Sequence, residues 1–107
     1  MNTPNDWMPH PRFDGVRMKT LITREMNSGL TMHLILLAPG AAIPPHTHEA
    51  STETFYILRG RGMCNIGAEE FALEPGSSNY APPGIVHSVR NTSDQELEAL
   101  AIFNPPL

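Results

Sequence analysis

Apolar residues along this 107-residue chain fall in short runs that alternate with polar positions, and glycine or proline closes most of those runs. No stretch holds apolar residues at i, i+3, i+4 and i+7 over a helical length, so the pattern predicts strands. They are expected at Met18 to Arg24, Leu30 to Ala38, His46 to His48, Thr54 to Leu58, Met63 to Ile66, Glu70 to Leu73, Ser78 to Tyr80, Ile85 to Arg90 and Leu97 to Phe103. Eleven prolines and eight glycines supply the punctuation. Gly67-Ala68-Glu69 is expected to close one hairpin and Asn91-Thr92-Ser93-Asp94 another. Short strands at this spacing predict an all-β sandwich or barrel.

Period-two alternation also says which side chains share a face. Glu53, Phe55 and Ile57 fall together, as do Ile85, His87 and Val89, and Cys64 with Ile66. The length allows one domain with one core. Residues 15–107 are expected to form it, preceded by an N-terminal arm over residues 1–14 that Pro4, Pro9 and Pro11 keep out of regular structure. Trp7 and Phe13 are aromatics that a free tail does not need. Trp7 is therefore expected against a partner subunit in a homodimer, covering an exposed sheet edge.

Composition narrows the function classes. Charged residues make up 17% of the chain and the net charge is −4, with no basic stripe, which argues against nucleic acid as a partner. The lone cysteine, Cys64, rules out an internal disulfide framework and fits a reducing compartment. The first residues carry neither a positive region nor an apolar run, and the longest aliphatic run is Leu34 to Ala38. The expected location is the cytoplasm, with no membrane partner.

Two glycine-bounded blocks carry the candidate chemistry. Gly40-AAIPP-His46-Thr-His48-EAST-Glu53-TFYILR-Gly60 holds two imidazoles and a carboxylate, and Gly76-SSNYA-Pro82-Pro-Gly84-IV-His87-SVR-Asn91 adds a third imidazole. In an extended chain His46 and His48 point to one side and can share an ion. Glu49, adjacent to His48, is expected to face solvent. Imidazole suits Zn, Cu, Fe and Ni, and a carboxylate admits Mn, so the expected cofactor is one divalent transition metal ion of unresolved identity. Three nitrogens and one oxygen leave a five- or six-coordinate ion open to water, dioxygen or a bidentate ligand.

The blocks read G-x5-H-x-H-x4-E-x6-G and G-x5-P-x-G-x2-H-x3-N, which resembles the paired motifs of the cupin superfamily without a gap in either. The resemblance covers residues 40–91 at motif level. It implies a double-stranded β-helix or jelly-roll barrel, a small single-domain cupin that dimerises, and His46, His48, Glu53 and His87 as metal ligands. Ser77 stands where many cupins have aspartate. Cupins that open uronate rings carry an acid on the last strand and an arginine soon after, whereas Leu100-Ala101-Ile102-Phe103 has no acid, so the resemblance does not extend to that activity.

Few groups remain to choose a reaction. Tyr80 and His33 are the candidates for a general acid or base, His10 has no assigned role, and Arg90 is expected at the surface. Phe55, Ile57, Cys64, Ile66 and Val89 are expected to line an apolar pocket for a small-molecule substrate or ligand. Two function classes follow. One is a metal-dependent enzyme, oxygenase or isomerase/lyase, acting on a small organic acid or sugar-like molecule. The other is a non-catalytic module that binds or senses a small ligand through the same ion.

Overall fold

A computed structural model describes residues 6–107, and among them the chain forms strands and no helix. In chain order these are β1 (Met8–Pro9), β2 (Val16–Ile22), β3 (Thr31–Leu37), β4 (Ala42–His46), β5 (Thr52–Arg59), β6 (Gly62–Ile66), β7 (Glu69–Leu73), β8 (Ser78–Ala81), β9 (His87–Arg90) and β10 (Leu97–Asn104). They build a six-stranded sheet, ordered β1-β2-β3-β10-β5-β8, and a four-stranded one, ordered β4-β9-β6-β7. Every strand pair is antiparallel. The two sheets close on each other as the double-stranded β-helix of the jelly-roll class.

Alternation decides what lies between the sheets. Val16, Leu37, Phe55, Ile57, Cys64, Leu73 and Leu97 form the buried core. Burying one such aliphatic or aromatic side chain fully contributes roughly 1.5–3 kcal/mol, so this cluster is the main stabilising feature of so small a barrel. Burial also pushes the Cys64 thiol up to about 11, leaving it protonated at neutral pH, a small hydrophobe in a packed wall. Gly60 holds φ at 88° where β5 hands over to β6, and a Cβ there would run into the Glu96 backbone. That close approach explains why the first block ends in glycine.

A second device is the side chain of Asn91, which is 2% exposed. Its Nδ2 donates to the carbonyls of Leu37, Ala38 and Gln95, and its Oδ1 accepts from the amide and hydroxyl of Ser93. One amide thus ties the end of β3, the exit of β9 and the entry to β10 together.

Several expectations need correction. The strand placed at His46 to His48 actually ends at His46, and His48 lies beyond it. Pro44 and Pro45 sit inside β4, where the register with β9 slips: Ile43 pairs with Val89, and His46 with His87. Three steps on β4 match two on β9, which is a bulge. Proline lacks the ladder N–H and is tolerated there and on this edge strand. The last expected strand before β10 is also shorter, His87–Arg90, because Pro82-Pro83-Gly84 leaves Ile85 and Val86 in a loop, 38% and 50% exposed. Ile85 therefore does not share the inner face with His87.

The segment before residue 15 is not a detached arm where it is described. Met8–Pro9 pairs with Met18 and Arg17 of β2, His10 N donates to the Val16 carbonyl, and Phe13 packs on the core. Trp7 lies over the guanidinium of the chain's own Arg17, at 5.9 Å. The first five residues of that segment lie outside the described residues.

Candidate metal centre

The two sheets bring their polar inner residues to one end of the barrel. In the six-stranded sheet a cross-strand row runs Thr31, Phe103, Glu53 and Ala81. In the four-stranded sheet the facing row is His46, His87 and Ile66. The bulge at Pro44-Pro45 gives His46 the same facing as Ile43, which strict alternation from Ile43 would deny it. His48, just past β4, completes the group. One ligand atom from each of His46, His48, Glu53 and His87 lies within 4.8 Å of all the others.

The hydrogen bonds around the group suit a cation. The carbonyl of Pro44 lies 2.8 Å from His46 Nδ1 and that of Ile85 3.1 Å from His87 Nδ1. Backbone carbonyls only accept, so both Nδ1 atoms carry protons and both Nε2 atoms are left to serve as ligands. His87 Nε2 lies 2.9 Å from Glu53 Oε1. His48 Nε2 approaches the same oxygen at 3.3 Å without hydrogen-bond geometry, and it is a buried nitrogen with no partner. A buried polar atom without a partner costs roughly 1–3 kcal/mol, and an ion in the group would remove that cost.

Electrostatics agree with this arrangement. Burial would raise the Glu53 carboxyl, but the approach of the His48 ring, the hydrogen bond from His87 and the charge of both rings bring it down to about 2. Burial works against protonation of His87 as well, yet its bonds to Glu53 and the Ile85 carbonyl prevail and hold it above the usual imidazole value. His46 goes the other way, lowered chiefly by burial. Without an ion, Glu53 and His87 form a charged pair. A divalent ion would take the place of the shared proton.

The group sits in the wall of a cavity of about 480 Å³. His33 lines it too, on β3, with Nδ1 3.1 Å from the hydroxyl of Thr20, its cross-strand neighbour on β2. Its basicity is lowered by burial, against the opposing charge of Glu53. The Phe103 ring stands edge-on between His33 and His48, at 5.7 and 5.1 Å between centroids.

A cupin-domain family model matches residues 33–103. This chain belongs to the cupin family. Among curated relatives, the oxalate-binding protein of Thermotoga maritima is 30% identical over 90 residues, which span 82% of this chain and 74% of that one. An uncharacterized protein of Methanocaldococcus jannaschii is 29% identical over 100 residues, 92% and 80% of the two chains. Among solved structures, a predicted oxalate decarboxylase of T. maritima has a TM-score of 0.82 at 27% identity, covering 94% of this chain and 90% of that one. KdgF from Halomonas sp. also reaches 0.82, at 22% identity and coverages of 94% and 86%, a likeness of fold.

The other expected site residues separate. Glu49 is exposed, as its position next to His48 implies. Tyr80 is 62% exposed and lies outside the cupin cavity, since it pairs with Thr54 and shares that residue's facing, opposite to Glu53. It is not placed to exchange protons there. Of the expected apolar lining only Val89 reaches the cavity. Phe55, Ile57 and Cys64 belong to the packed core, and Ile66 lines a separate hollow with Phe71, Tyr80 and Pro82. Alternation identified their face, but depth along the barrel axis depends on register. Arg90 is partly exposed and donates to Glu70. Sequence reasoning missed His10, Arg12, Phe13, Thr20 and the turn residues Arg24 and Glu25, all of which line the cavity. The two aromatics before residue 15 were a signal that this segment packs somewhere. Phe13 packs on its own barrel, with its ring 6.3 Å from that of His46.

Proposed function

We propose that this cupin holds one divalent transition metal ion through His46, His48, Glu53 and His87 and uses it to bind a small carboxylate. The carrying observation is the convergence of three imidazoles and one carboxylate within 4.8 Å in the wall of an open cavity. Four protein donors leave a six-coordinate ion two positions, enough for a bidentate 2-hydroxy or 2-oxo acid or for oxalate. The Thermotoga relative that is called an oxalate-binding protein makes oxalate the first acid to try. Bound there, such an ion would supply Lewis acidity, and the chain's own part is to orient the acid against Phe103, Ile35, Ile43 and Val89.

One observation favours turnover over capture alone. His33 presents a ring to the cavity with one nitrogen held by Thr20, which leaves the other to exchange a proton with a bound acid. An isomerase/lyase or an oxygenase could use such a group, a storage or sensing module would not need it. The proposed assembly is a cytoplasmic homodimer formed at the β1 edge, where Met8 is 59% exposed.

Titrating cobalt(II)-loaded protein with oxalate and with 2-hydroxybutanoate, while following the d–d bands, tests the proposal. The bands are expected to shift with saturation below millimolar ligand, and the protein should sediment as a dimer at micromolar concentration. Bands that stay fixed at millimolar acid would mean a closed, structural ion. If they shift but no acid is consumed under air or argon, the protein is a binder.

A further inference from the structure

The cavity's charge is not confined to the metal end. Six arginines occur in the chain. Four of them engage carboxylates on the barrel's exterior: Arg17 with Glu96, Arg59 with Glu98 and Glu96, Arg61 with Glu74, and Arg90 with Glu70, at 2.9 to 3.4 Å. The other two, Arg12 and Arg24, form no ion pair among the described residues, and both line the cavity. Exposure alone does not explain this, because Arg61 is 69% exposed and still paired. Arg12 lies 5.3 Å from the Phe13 ring, and Phe13 in turn neighbours His46, so this guanidinium is one ring away from the candidate ligands. Arg24 comes from the β2–β3 turn on the same cavity, with Glu25 beside it as the opposing charge.

We propose that Arg12 and Arg24 form a second anion subsite, so that the ligand is an elongated dianion with one carboxylate at the metal and another acidic group at the arginines. This rests on the metal-assisted reading above and adds a length and a charge to it. A cavity of about 480 Å³ lies in the range that takes ligands much larger than a two-carbon diacid. With Glu53 committed to a dication, the described side chains lining the cavity carry one remaining carboxylate, Glu25, against two guanidiniums and the ion, a balance that favours a dianion. Guanidinium forks match carboxylate and phosphate oxygens bidentately, so the recognised group is either of these, and the apolar stretch between the poles suits a short carbon chain.

The test uses the full chain loaded with cobalt(II) and two acids, 2-hydroxybutanoate and 2-hydroxypentanedioate, which differ by a carboxylate on the last carbon. The diacid is expected to bind at least about 10-fold more tightly at low salt, and the preference should shrink as ionic strength rises. In Arg12→Gln/Arg24→Gln the preference should fall towards unity, with the diacid losing far more affinity than the monoacid. A phosphonate in place of the distal carboxylate distinguishes the two acidic groups by which gains more. Equal binding of both acids, or a preference that survives the double substitution, overturns the subsite while leaving the metal reading intact. Failure of both acids to bind overturns the two together. Both arginines are exposed, so the double variant should keep the parent's circular dichroism and cobalt content, which separates loss of the subsite from loss of fold.

Discussion

His48→Ala is expected to lose at least about 100-fold in affinity for a divalent transition ion, more than the 10–100-fold that removal of a supporting partner costs. The same change should leave the metal-free protein almost as stable as the parent. His48 Nε2 is buried without a hydrogen-bond partner, so the imidazole removed was not contributing a satisfied polar contact, and the space left joins an existing cavity. Glu53→Gln separates these effects differently. It removes the anionic donor, so metal affinity falls as well, but it also discharges the pair with His87. The Glu53 carboxyl titrates at about 2 in the folded protein against an ordinary value of 4.5. Its folded pKa is depressed, so its contribution is present above about 4.5 and is lost as pH falls towards 2. At neutral pH the glutamine variant should therefore be less stable without metal, and the difference from the parent should close in acid. His33→Ala serves as the control, because it lines the cavity outside the four-residue group and should keep a full equivalent of metal. Elemental analysis and calorimetric titration measure the affinities. A His48→Ala protein that retains the parent's metal content would remove His48 from the ligand set.

What the sequence discloses about this barrel follows the regularity of its backbone. β5 and β9 are regular where Glu53 and His87 sit, and counting by twos put both side chains on the inner faces they occupy. The all-β reading and the cupin motifs likewise gave the fold, since glycine, proline and alternation act locally. Counting failed where the ladder slips. Nothing in Pro44-Pro45 alone says that β4 runs through them with a bulge, and that bulge, not a shared strand with His48, turns His46 inward. Depth failed for a related reason. Phe55, Ile57 and Cys64 have the right facing, but the rows they join, such as Ile43–Val89–Cys64, are fixed by pairing between segments distant in sequence. The Thr20–His33 contact is of this kind too, with no local signature at all. Asn91 was visible as the end of the second motif and as a turn residue. Its three carbonyl acceptors come from two other places in the chain, so its role could emerge only from the fold.

Asn91→Asp should be the most damaging isosteric change outside the metal group. The replacement keeps the volume, so no cavity cost enters, and one oxygen can still accept from Ser93 as Oδ1 does now. The other oxygen then faces the carbonyls of Leu37, Ala38 and Gln95, three acceptors that have lost their donor. An ionised carboxylate in that setting is both buried and repelled, at a cost of about 3–5 kcal/mol, comparable to breaking a buried ion pair. A domain with a total of about 5–15 kcal/mol has little left after such a loss. The sign with pH is opposite to that at Glu53. Acceptors on three sides disfavour the anion, so the folded pKa of the new carboxyl lies above its unfolded value near 3.9, and the penalty grows as pH rises through that interval. Urea denaturation of parent and variant from pH 4 to pH 8 should thus show a deficit that is small in acid, where a protonated carboxyl restores one donor, and full at neutrality. Metal content should follow the folded fraction, because no ligand has changed. Equal stability of the two proteins at pH 7 would mean that the three carbonyls do not depend on Asn91, and that the β3, β9 and β10 ends are held by packing alone.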